Sequence, residues 1–109
     1  MAYGVGMREV PLRPIVHVLV CTNARESGAA LGPGCGESGE NVYDAFKREV
    51  DRRAAHRTIW IARARCLGVC PKHGATVIVH PGAKVLADVE PANAVEVLLA
   101  AVGRTTREP

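Results

Sequence analysis

Apolar positions fall into four short runs and two helical stripes. Ile15 to Cys21 is β-branched and, His17 apart, wholly apolar, which predicts a strand covered on both faces. Hydrophobic periodicity then stops. From Thr22 to Gly39 the chain is mostly Gly, Ala, Ser, Asn and Pro with glycine at 28, 32, 34, 36 and 39, the pattern of a long loop, and that loop holds Cys35. Val42, Tyr43, Phe46, Val50 and Ala54 recur at helical spacing and predict a helix over 40–56, with Ser38 or Gly39 as its N-cap. Residues 58–64 predict a second strand that runs into Cys66 and Cys70. Residues 75–80 and 84–89 predict two more, joined as an antiparallel hairpin through His80-Pro81-Gly82-Ala83. Glu90-Pro91 opens a last helix whose apolar stripe is read as Val95, Leu98, Leu99 and Val102, with Gly103 as its C-terminal stop.

The order is β-α-β-β-β-α. A strand-helix-strand unit crosses over right-handed and sets its two strands parallel, whereas the final pair forms a hairpin. The expected class is therefore α/β, a thioredoxin-like domain with a mixed four-stranded sheet and two main helices. One domain over 15–103 is expected, with an N-terminal arm over 1–14 and a flexible tail over 104–109. Because parallel strands end on one edge of the sheet, Cys21 at the end of the first strand and Cys66 after the second should meet there.

Composition narrows the class. Hydrophobic residues at 48% and charged residues at 23% belong to a globular chain, and no apolar run is long enough to span a bilayer. Residues 1–8 carry no secretory pattern, so a cytoplasmic location is expected, where cysteines serve as metal ligands or redox thiols more often than as disulfides. Aromatics at 4% and a net charge of +3 spread from Arg8 to Arg107 provide neither a stacking platform nor a basic groove, so nucleic acid is not an expected partner.

The four cysteines stand as C-x13-C and C-x3-C. No C-x2-C is present, which disfavours dithiol exchange, and only Cys66 and Cys70 could form a zinc knuckle. Four thiolates in two loops, one rich in glycine, suit an iron-sulfur cluster, since residues without Cβ let backbone N-H groups approach its sulfurs; zinc stays open. The segment 32–39 lacks the Lys-Ser/Thr ending of a phosphate loop. His73 reads as a solvated loop histidine and His17, His56 and His80 as structural, and without a nucleophile and base pair no catalytic residue is assigned. Trp60 is read as core or dimer packing.

The stretch Val18-Leu19-Val20-Cys21-Thr22-Asn23, Cys35 before a helix, Cys66-Leu67-Gly68-Val69-Cys70, then Val77-Ile78-Val79-His80-Pro81 and Val89-Glu90-Pro91, resembles the thioredoxin-like [2Fe-2S] ferredoxins of the Shethna type. The resemblance covers roughly residues 15–102. It implies a non-enzymatic one-electron carrier with a single [2Fe-2S] cluster on Cys21, Cys35, Cys66 and Cys70, protein electron donors and acceptors as partners, and a homodimer. Two other functions fit the same residues: a redox-dependent module that protects or regulates an enzyme, and a structural zinc module. The chain departs from the family in its basic balance and in Gly82 to Leu86, where relatives carry aromatics. A bound oxidised cluster with its four thiolates contributes about −2, which would bring the +3 chain to about +1, so net charge would steer partners weakly.

Overall fold

The computed structural model describes residues 5–9, 15–23, 35–65 and 73–107. Its elements are β1 (Val16–Cys21), α1 (Gly36–Arg52), β2 (Ile59–Ala64), β3 (Ala75–His80), β4 (Lys84–Val89), a 3-10 turn at Pro91–Asn93, and α2 (Ala94–Arg107). The four strands form one mixed sheet in the order β2-β1-β3-β4. β1 runs parallel to β2, with Val16 opposite Ile59 and Cys21 opposite Ala64, and antiparallel to β3; β3 and β4 form the hairpin. The expected α/β class and mixed sheet are therefore present, and Cys21 ends its strand beside the end of β2.

Both helices pack on each other and on β1, so they cover one face of the sheet. β1 alternates accordingly: Val16, Val18 and Val20 are fully buried, and His17 and Leu19 are only partly so. That corrects the expected double coverage. Among the described residues no helix covers the second face.

α1 begins four residues earlier than its periodicity predicts. Its first turn, Gly36-Glu37-Ser38-Gly39, has no large apolar residue to reveal the stripe, and the N-cap is Cys35 rather than Ser38 or Gly39. The buried stripe is Gly39, Val42, Ala45, Phe46, Glu49 and Val50. Glu49 is held by Arg52 and by Arg53 at 2.7 Å. Hydrogen bonding from Arg52 dominates and keeps the Glu49 carboxyl below its ordinary range, against the burial that would raise it.

The helix also ends early. Ala54, read as a helical position, has φ 51, and the bonds Ala54 N to Asp51 O (3.1 Å) and Ala55 N to Val50 O (3.0 Å) close a Schellman motif. This left-handed site favours glycine. Ala54→Gly is expected to stabilise the protein by about 1 kcal/mol, seen as a higher urea midpoint at unchanged slope.

The 3-10 turn that leads into α2 opens with a capping box: Glu90 N donates to Asn93 Oδ1 at 2.8 Å, the Glu90 side chain accepts from the Asn93 backbone, and Pro91 follows the cap. On α2 itself the packing differs from the reading of its stripe. Its buried face is Ala94, Leu98 and Ala101, while Val95 and Leu99 are 38% and 52% exposed, so the expected stripe is rotated. Small side chains won that face because two helices share one side of the sheet. Gly103 lies inside α2, which runs to Arg107.

Candidate metal centre

Two of the four cysteines lie within the described residues, and both are buried: Cys21 is 3% and Cys35 4% exposed. They come from different elements and reach the same corner. Cys21 is the last residue of β1, and past it Thr22 N bonds Ala64 O at 2.9 Å, so β1 and β2 stay side by side to their ends. Cys35 caps α1, whose first turn is tied down by Gly36 N to Asn23 O (3.0 Å) and Gly39 N to Cys35 O (2.8 Å). The residue after Cys35 thus bonds the residue two beyond Cys21.

Gly39 permits this approach. A Cβ on it would lie 2.0 Å from Cys21 O and 3.0 Å from Thr22 Cα, closer than any side chain allows, so the absence of a side chain lets α1 seat on the end of β1. The Cys21 Sγ donates to Arg65 O at 2.8 Å. Arg65 directly precedes Cys66 in the chain, so the Cys21 thiol meets the backbone one peptide away from the third cysteine. Cys66 and Cys70 lie outside the described residues, and among those residues no three potential metal ligands converge.

The sequence places Cys35 within the long loop. Instead it is buried and belongs to the helix. The partial positive charge at the amino-terminal end of a 17-residue helix suits an anionic sulfur ligand.

A polar cluster beside this corner joins residues far apart in sequence. Arg63 of β2 lays its guanidinium 3.9 Å from the centre of the Tyr43 ring and donates Nε to Glu40 Oε1 and Oε2 at 3.0 and 3.1 Å. The hydrogen bond with Glu40 raises the Arg63 pKa above the ordinary arginine value. A separation of 23 residues leaves no local sequence signal for it. His73 meets Glu90 with Nδ1 2.6 Å from Oε1 and is largely exposed, in keeping with a solvated loop position. A cleft of about 450 Å³ between β4 and α2, bordered by Leu86, Asn93 and Val97, has no described cysteine in its wall.

Sheet order and helix placement define an α/β domain of thioredoxin-like fold, with two buried cysteines at one sheet edge. Solved structures bear this out: the chain is similar to the wild-type thioredoxin-like [2Fe-2S] ferredoxin from Aquifex aeolicus at 24% identity, over 84% of this chain and 89% of that one, with a TM-score of 0.72. A second structure of a thioredoxin-like [2Fe-2S] ferredoxin from the same organism matches at 24% identity over 78% and 77%, TM-score 0.68, and a cysteine-to-serine variant at 23% over 86% and 91%, TM-score 0.71. No family model matches the chain, and no curated protein matches it. Among the described residues no helix is long and apolar enough to cross a membrane.

Proposed function

We propose that this protein is a one-electron carrier that holds a single [2Fe-2S] cluster on Cys21, Cys35, Cys66 and Cys70 and exchanges electrons with protein donors and acceptors. The observation that supports it best is the meeting of buried Cys21 and Cys35 with the backbone leading into Cys66, at one edge of a sheet built like that of the Aquifex ferredoxins. The donor set fits: four thiols, no carboxylate, and a glycine-rich approach that leaves room for backbone near sulfur. When bound, the cluster supplies a site that takes up and releases one electron.

The chain's own residues do the rest. Gly39 seats α1 against β1 and thereby presents Cys35 to Cys21. Burial of both sulfurs keeps water from the ligands, and the end of α1 favours their negative charge. Neither task calls for a catalytic residue. A cytoplasmic location and a homodimer belong to the same reading, the latter supported by Val95 and Leu99, apolar side chains that α2 leaves in solvent.

Protein purified without oxygen should be coloured, contain two irons and two acid-labile sulfides per chain, accept one electron, and pass it catalytically to an acceptor protein. A colourless chain with one zinc and no sulfide would overturn the proposal in favour of the zinc module. A reduced chain that only forms a stoichiometric complex and alters the partner's activity would overturn the carrier role in favour of the regulatory one.

A further inference from the structure

The sheet face turned away from the helices carries two histidines that the cluster does not use. His17 of β1 and His80 of β3 stand directly opposite each other in the antiparallel register, with ring centroids 6.3 Å apart. Both strands are interior strands of the sheet, so the backbones that carry the rings are held on both sides. Trp60 of β2 stands opposite His17 on its other side and meets its ring edge to face at 6.2 Å, which orients that imidazole. The adjacent row of the same face is Leu19 opposite Ile78, apolar and only partly buried. Among the described residues neither imidazole makes a hydrogen bond or ion pair, so both rings keep their nitrogens available.

From this juxtaposition we infer that His17 and His80 form a two-imidazole binding site for a borderline divalent transition ion such as Ni²⁺, Zn²⁺ or Cu²⁺, separate from the cysteine corner. An ion held about 2.0–2.1 Å from one nitrogen of each ring places the centroids at most about 6.5 Å apart, so the observed 6.3 Å corresponds to two nitrogens nearly opposite each other across the ion, an arrangement open to Ni²⁺ and Cu²⁺. Imidazole suits these ions, and among the described residues no carboxylate bonds either ring, which leaves the nitrogens as the donors. Two rings preset on paired strands act as one chelate, so the second nitrogen binds at high effective concentration. Solvent completes the coordination on the open side of the face.

The chain has one tryptophan, and it touches the site. Titration of tag-free full-length protein with Ni²⁺ alone should quench Trp60 fluorescence saturably, with one ion per chain, and should raise the thermal midpoint. His17→Gln and His80→Gln should each weaken that binding on the order of 100-fold, because one arm of the chelate is lost, whereas His56→Gln should leave it unchanged. Absence of saturable quenching, absence of a thermal shift in the native chain, or a Ni²⁺ affinity in either histidine variant equal to that of the native chain would overturn the inference. Any Ni²⁺ taken up by the cysteines is common to the native chain and the histidine variants, so the difference between them reads the His17 and His80 site apart from the proposed cluster.

Discussion

Replacing Gly39 with alanine is expected to lower folding stability by about 3 kcal/mol or more, at the upper end for an overpacked position. The added methyl carbon would sit 2.0 Å from Cys21 O and 3.0 Å from both Cys21 C and Thr22 Cα. All three are backbone atoms, so no rotamer change relieves the contact. Relief requires α1 to lift from the end of β1, which also parts Val42 and Phe46 from the strand valines beneath them and moves Cys35 away from Cys21. Urea denaturation should show the loss. Gly103→Ala is the control: nothing lies within 4 Å of its added Cβ, and removing a glycine from a helix interior should raise stability by up to about 1 kcal/mol. Equal stability for Gly39→Ala and the native chain would mean that α1 does not seat on β1 as described.

Cys21→Ser and Cys35→Ser are each expected to reduce the proposed cluster to about a tenth of its native content or less, measured as iron and labile sulfide per chain, since serine is a harder and poorer ligand for iron. The apo forms should still fold. A serine hydroxyl can take over the bond from Cys21 to Arg65 O, and the swap changes little volume. The two losses should be alike because both residues end rigid elements: Cys21 closes a strand paired on both sides, and Cys35 is tied to the first turn of α1. A Cys35→Ser variant with native cluster content would show instead that this position is replaceable, as a loop residue would be.

The strands were the most legible part of the fold, because β-branched runs bounded by glycine, proline or cysteine announce themselves locally; β3 and β4 have the bounds their residues suggest. Helix boundaries were less so. The first turn of α1 carries no apolar side chain, and the last residue of its expected stripe, Ala54, adopts a left-handed conformation for which alanine offers no sign. On α2, reading the largest side chains as the buried stripe chose Val95 and Leu99, whereas packing against α1 selected Ala94 and Ala101. Hydrophobicity ranks residues by size, but space between two helices on one sheet face ranks them by fit.

The candidate corner divides in the same way. Cysteine spacing, the order of strands and helices and the parallel pairing they require are local or topological properties, so the sequence by itself determined that Cys21 and the chain leading to Cys66 would share a sheet edge. Only the tertiary structure decided that Cys35 is a buried helix cap, that Gly39 is the contact on which this depends, and that His17, Trp60 and His80 form a row on the face turned away from the helices. Those facts depend on distances between segments far apart in the chain. Such distances follow from how helices and strands pack, and no single segment carries them.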